Sequence, residues 1–124
     1  MHQRLHHTGR MSVEHAKFYF ANVVLAVEFL HTHGIVHCDI KTENILIGAD
    51  GYLMITDFGL SLAQDSRDWG KATAGTPQYM SPEVLMQEFG TLERRRACDW
   101  WAAAVLLYEM ITVSDVCHLH IVTY

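Results

Sequence analysis

The sequence predicts an α+β fold, mostly helical, with one small β-hairpin. Three observations point there. Apolar residues recur at spacings of three and four from Val13 to Leu30, the period of an amphipathic helix. A second stretch, Asp99 to Met110, is apolar nearly all round, as a buried helix would be. Between them, two short apolar runs flank a turn signal, the pattern of a hairpin.

Ser12 suits the N-cap of the first helix and Glu14 its first turn. Val13, Ala16, Phe20, Val23, Val27 and Leu30 make its buried face, and Gly34 is a natural stop. Ile35-Val36-His37 then runs into a loop. Ile45-Leu46-Ile47 is a strand, Gly48-Ala49-Asp50-Gly51 a turn, and Tyr52-Leu53-Met54-Ile55 the returning strand. A hairpin brings its open ends together, so Asn44 and Asp57 are expected side by side. Residues 60–80 read as an exposed loop, with polar Gln64-Asp65-Ser66-Arg67-Asp68 and the breakers Gly70 and Gly75. Ser81-Pro82-Glu83 is a helix start, with Ser as N-cap and Pro at the first helical position. Glu93-Arg94-Arg95-Arg96 reads as a solvated charge run. Asp99 heads the apolar helix, where a carboxylate without a partner carries a heavy desolvation cost.

Composition narrows the function classes. Half of the 124 residues are hydrophobic and 19% are charged, with few Pro and Gly, so most of the chain is expected to be ordered. The net charge of −5 argues against nucleic acid as a partner. Cys38, Cys98 and Cys117 leave an odd thiol and no disulfide framework, which suits a reducing, cytoplasmic setting. Met1-His2-Gln3-Arg4 lacks an apolar signal core. The longest apolar run, Trp100 to Tyr108, is far below the roughly 20 residues of a membrane span, so no membrane partner is expected. His31, His33 and His37, and separately Cys117, His118 and His120, are loose metal candidates without a second ligand pair.

The chemistry concentrates in His37-Cys38-Asp39-Ile40-Lys41-Thr42-Glu43-Asn44 and Asp57-Phe58-Gly59. Asp39 can accept the proton of an attacking hydroxyl, and Lys41 can neutralise a transferred phosphoryl group. Asn44 and Asp57 offer oxygen ligands to Mg²⁺. An ordinary surface hairpin flanked by turn-forming Asn and Asp is the plainer alternative. The two stretches, in this order and joined by a strand pair, resemble the catalytic loop H-R-D-x-K-x-x-N and metal loop D-F-G of eukaryotic protein kinases. Gly75-Thr76-Pro77 and Ser81-Pro82-Glu83 resemble the end of a kinase activation segment. Asp99-Trp100-Trp101 through Tyr108-Glu109-Met110 resembles the central helix of the C-terminal lobe. Glu14-His15-Ala16-Lys17-Phe18-Tyr19 and Val27-Glu28-Phe29-Leu30-His31 look most like the AGC group.

The resemblance implies a protein kinase-like C-lobe fragment over residues 9–112, without the N-lobe, followed by a divergent tail at 113–124. It implies ATP and Mg²⁺ as cofactors and a protein substrate with a Ser or Thr acceptor, since Lys41 and Thr76 match serine/threonine kinases. Asp39, Lys41 and Thr76 would be catalytic, the Thr76 hydroxyl bridging Asp39 and Lys41. Lys41, Asn44, Leu46 and Asp57 would bind the nucleotide, Asn44 and Asp57 through the metal. His37 would pack under Phe58, and the Asp99 carboxylate would hold the loop backbone. Leu106 and Met110 would pack toward an adenine floor at Leu46. Thr73 is a candidate phosphorylation site.

Departures from the family pattern are expected to matter. Cys38 replaces the Arg of H-R-D, removing the group that grips a loop phosphate, so Cys38→Arg should leave or raise activity. Thr42 replaces a Pro. Ala104 replaces a Gly and adds a methyl where helices pack, costing about 1–3 kcal/mol if the site cannot relax. No Gly-rich phosphate loop or β3 Lys precedes the helix, Glu83 lacks its later Arg partner, and the chain alone is expected to bind Mg²⁺-ATP weakly. Two readings follow: a serine/threonine kinase fragment, or a truncated, inactive relative acting by binding alone or not at all.

Overall fold

The computed structural model describes residues 1–64, 66, 75–87 and 91–112, apart from the side chains of His6 and Thr8. Its elements in chain order are α1 (His2–Thr8), α2 (Val13–Thr32), β1 (Ile35–Val36), β2 (Ile45–Ile47), β3 (Leu53–Ile55), β4 (Leu62–Ala63), α3 (Pro82–Leu85) and α4 (Leu92–Thr112), with single 3₁₀ turns at Thr42–Asn44 and Pro77–Tyr79. Helix α2 begins where its cap chemistry directs, the Ser12 hydroxyl oxygen accepting a hydrogen bond from the His15 amide at 3.3 Å. It ends at Gly34, whose φ of 71° a side chain would resist.

The two long helices pack against each other, and the hairpin lies on α2. Ala16, Tyr19, Val23 and Val27 of α2 meet Ala102, Ala103, Leu106 and Met110 of α4, with Ile40 and Ile45 sealing the core. Hairpin β2–β3 is antiparallel with Ile45 opposite Ile55, and Asn22 Oδ1 on α2 accepts from the Leu53 amide at 3.3 Å. The pairing continues past the last strand residue: the Asn44 carbonyl accepts from the Thr56 amide at 2.9 Å and from its hydroxyl at 3.1 Å. Asp57 therefore leaves β3 beside the residue that enters β2.

Several expectations need correction. Val13 is 60% exposed, because it stands in the first turn of α2 before the helix reaches α4. A second sheet, β1 paired antiparallel with β4, lies where the sequence reads as loop. Strands of two residues carry no alternation to detect. Helix α1 was likewise unmarked by any cap or period. Helix α4 begins at Leu92, a full two turns before Asp99, and buries one face only; Trp100, Trp101, Ala104, Tyr108 and Ile111 are exposed among the described residues. The Ala104 methyl therefore meets no close packing there, and the expected overpacking cost does not arise. Arg95, read as solvated, is 4% exposed. Leu106 and Met110 join the core with Ile45, whereas Leu46 is exposed on the opposite face of β2, as strand alternation requires.

The packing makes a graded prediction. Leu106→Ala, at a fully buried site between α2 and α4, should cost about 2–5 kcal/mol. Val13→Ala should stay within about 0.5 kcal/mol. Urea unfolding of both variants checks the contrast.

Candidate active site

The loop from His37 to Asn44 is held from below by one side chain. Asp99 of α4 is 1% exposed, and its Oδ2 and Oδ1 accept the His37 and Cys38 amides, each at 2.9 Å. Its Oδ2 also accepts from His31 Nε2 at 2.9 Å. The clamp explains an otherwise unfavourable backbone: Cys38 has φ 67°, a left-handed conformation costing a non-glycine residue about 1–3 kcal/mol. Two further contacts fix the same turn. The Ser61 hydroxyl donates to the His37 carbonyl at 3.2 Å, and Gly75 comes so close that a Cβ there would sit 2.6 Å from the Cys38 carbonyl oxygen.

His37 is a packed histidine, as expected. Its Nδ1 accepts from the Asp39 amide at 3.3 Å and its Nε2 donates to the Thr56 carbonyl at 3.1 Å, so both nitrogens are engaged. Its ring meets Phe58 edge-on, with centroids 5.1 Å apart. The histidine thus ties the loop to the segment carrying Asp57.

The turn at Cys38 sends Asp39 into a closed set of partners. Asp39 Oδ2 pairs with Lys41 Nζ at 2.7 Å, and Oδ1 accepts from the Thr76 hydroxyl at 2.8 Å. Lys41 Nζ donates to that same hydroxyl oxygen at 2.8 Å, closing the ring. Asn44 Nδ2 donates to the Asp39 carbonyl at 2.8 Å and to Oδ2 at 3.1 Å. Burial pushes the Asp39 carboxyl up, but hydrogen bonds from Lys41, Thr76 and Asn44, with the Lys41 charge, outweigh it and leave the group below its ordinary value. The ring holds a base, a cation and a hydroxyl within one cluster.

Asn44 is buried with its amide nitrogen committed, which leaves Oδ1 as its remaining acceptor. Asp57 is exposed at φ 63°, and its Oδ1 accepts from the Gly59 amide at 3.2 Å. A carboxylate and an amide oxygen on adjoining chain segments suit a hard divalent cation that takes its other ligands from phosphates and water. Among the described residues no group of three His, Cys, Asp or Glu side chains could hold a metal. His31 and His37 are spent on Asp99 and Thr56, and Cys117, His118 and His120 lie outside the described residues, as does Thr73. Leu46 and its cross-strand partner Met54 are both exposed on one face of the hairpin.

Sequence reading missed three contributors. His31 stands four residues after Val27 on the buried face of α2, a spacing that calls for a polar partner. Arg96 Nη2 donates to the His31 carbonyl at 2.7 Å, capping the end of α2 from α4. Buried Tyr79 receives the Thr42 amide at 3.2 Å and donates to Glu109, linking the His37–Asn44 loop to α4. Burial first, then the Glu109 carboxylate, pushes the Tyr79 phenol up. The Ser81 hydroxyl, expected as an N-cap acceptor, instead donates to Cys98 Sγ at 3.2 Å.

A model of the protein kinase domain matches residues 1–122. The chain belongs to the protein kinase family. It is 43% identical over 105 residues to protein kinase C-like 1 of Saccharomyces cerevisiae, covering 82% of this chain and 9% of that protein. It is 41% identical over 107 residues to cAMP-dependent protein kinase catalytic subunit 3 of Drosophila melanogaster, covering 86% and 17%. Over 109 residues it is 40% identical to serine/threonine-protein kinase AtPK1/AtPK6 of Arabidopsis thaliana, covering 88% and 23%. The relatives are serine/threonine kinases of AGC type, as the helix wording suggested. The chain spans less than a quarter of each of these three. No described helix is long and apolar enough to cross a membrane.

Two outcomes follow from this geometry. Asp99→Asn keeps the shape but turns an amide nitrogen toward one of the donors that Asp99 now accepts. One buried donor loses its partner, so thermal unfolding should register a loss of about 1–3 kcal/mol. The second concerns acid. A carboxyl depressed by folding adds stability above its unfolded value of about 3.9 and loses it as pH falls through the folded value. Asp39→Asn should therefore flatten the fall in stability below about pH 4, measured by urea midpoints across the acid range.

Proposed function

We propose that residues 9–112 form part of a serine/threonine kinase catalytic domain that transfers the γ-phosphoryl group of ATP to a Ser or Thr hydroxyl of a protein. The observation that carries this reading is the closed ring of Asp39, Lys41 and Thr76. A carboxylate held with a cation and a hydroxyl can orient an attacking alcohol and take its proton as the phosphoryl group leaves. Because Asp39 sits below its ordinary value, positioning contributes more than basicity.

Each residue has a separate task. Asp39 orients the substrate hydroxyl and accepts its proton. Lys41 offers positive charge to the phosphoryl oxygens and meanwhile fixes Asp39. Thr76 joins the activation segment to the loop, so the base is held only when that segment is in place. Asn44 and Asp57 would hold Mg²⁺ between the hairpin ends, and the ion would neutralise charge on the phosphates when bound. Leu46 and Met54 give an apolar face on which an adenine ring could rest.

A second reading, a kinase-like chain that acts by binding only, draws support from Cys38, which stands where the family's catalytic loop has an Arg. A phosphotransfer assay on the full-length protein carrying this chain separates the two. On the first reading Asp39→Asn, assayed well below its melting temperature, loses about 10²–10⁴-fold in rate, and Thr76→Val loses less. Wild-type protein that melts cooperatively, binds a protein partner and transfers no phosphate would leave the second reading standing.

A further inference from the structure

Thr42 opens the 3₁₀ turn Thr42–Asn44, directly after Lys41, and is buried. The first residue of such a turn has an amide with no partner inside the turn. Here that amide donates to the Tyr79 phenol oxygen at 3.2 Å. The Thr42 hydroxyl lies 3.2 Å from the same oxygen, 3.1 Å from Glu43 Oε2 and 3.4 Å from His2 Nδ1. Tyr79 gives its own proton to Glu109, so its oxygen meets Thr42 as an acceptor. Tyr79 in turn ends the 3₁₀ turn Pro77–Tyr79, and its amide donates to the Thr76 carbonyl at 2.9 Å. Two chain segments are therefore joined at both ends: Thr76 to Asp39 and Lys41 at one, Tyr79 to Thr42 at the other.

We propose that Thr42 is a positioning residue: by holding Tyr79 it fixes the turn that presents the Thr76 hydroxyl to Asp39 and Lys41. A proline at 42, the residue of the family pattern, carries neither an amide proton nor a hydroxyl. The backbone there would accept one. Lys41 is extended, at φ −161° and ψ 166°, as the residue before a proline must be, and position 42 is the first of its turn, where proline fits. What Thr42 adds is therefore bonding rather than shape: two contacts to one phenol that a proline leaves unmade. Held at Thr76 alone, the turn could pivot about that residue. The second hold, three residues on, removes the rotation and keeps the hydroxyl aimed. The proposal rests on the kinase reading only for its consequence in phosphoryl transfer; the joint itself is measured without activity.

The test follows hydrogen exchange of the residue-79 amide in the full chain, for wild type, Thr42→Ser, Thr42→Val, Thr42→Pro, Tyr79→Phe and the double variant Thr42→Pro/Tyr79→Phe. Thr42→Pro and Tyr79→Phe should each speed that exchange about tenfold, the worth of one or two ordinary hydrogen bonds. Thr42→Val keeps the amide and should lose less; Thr42→Ser keeps both groups and should retain wild-type exchange. The double variant should exchange no faster than Tyr79→Phe alone, because the same joint is already open. Unchanged exchange in Thr42→Pro, a Thr42→Ser chain as fast as Thr42→Pro, or multiplying effects in the double variant would each overturn the proposal. If a proline variant does not fold, Thr42→Val replaces it in the cycle: non-additive effects with Tyr79→Phe support the proposal and multiplying ones overturn it. In phosphotransfer by the full-length protein, Thr42→Pro should lower kcat about tenfold with the KM for ATP unchanged, and should add nothing in a Thr76→Val background. An active wild type whose kcat is untouched by Thr42→Pro would overturn the positioning of Thr76. A wild type that transfers no phosphate would count against the kinase reading, and the exchange cycle would still decide Thr42.

Discussion

The structure depends on a carboxylate placed under a strained turn. Asp99 accepts the amides of His37 and Cys38 and the ring of His31, and these bonds hold a non-glycine residue at φ 67°. With the turn held, the chain reverses and presents Asp39 to Lys41, Thr76 and Asn44. A relaxed turn would rotate Asp39 away from a ring whose bonds are all between 2.7 and 2.8 Å. The core exists partly to hold that carboxylate still. Helix α4 carries Asp99 at one end of its buried face and Ala103, Leu106 and Met110 along the rest, packed on α2. Packing energy is thereby converted into the position of two backbone amides.

The second dependence is topological. Asn44 enters β2 and Asp57 leaves just after β3, so a hairpin only three residues deep fixes both oxygen donors. Short strands serve here because only the open end must be exact to within a bond length, and Thr56 secures that end twice through the Asn44 carbonyl. His37 then bonds the Thr56 carbonyl from the loop that carries Asp39. Asn44, Asp57 and Asp39 are consequently one mechanical unit, joined through Thr56. A disturbance of the hairpin would reach Asp39 through His37, whose Nδ1 accepts the Asp39 amide.

Much of this was legible in the sequence, and the reasons are physical. The face of α2, the hairpin and the need for a partner at Asp99 each rest on a local pattern: a period, a turn signal, a buried charge. His37 against Phe58 followed from family resemblance and was found. What could not be read were contacts set by tertiary placement. The pairing of Ile35–Val36 with Leu62–Ala63 joins two-residue strands far apart in sequence, with no alternation to announce it. Arg95 sits in a run of three arginines that composition marks as solvent-facing. Only the register of α4, fixed by Asp99 four residues later, turns one of them inward. His31 stands on the buried face four residues after Val27, so its need for a polar partner is legible, although the sequence by itself offers it only as a loose metal candidate.

That register places two opposite charges on one face of one helix. Residues 95 and 99 share a face, so once Asp99 is drawn under the His37 and Cys38 amides, Arg95 must enter the same interior. Neighbouring Arg96, 100° further round, instead reaches the His31 carbonyl at the end of α2. The two arginines thus part ways, one buried on the face of Asp99 and one at the end of α2. Cys38 adds no cation, and its thiol, pushed up by burial to about 12, stays protonated.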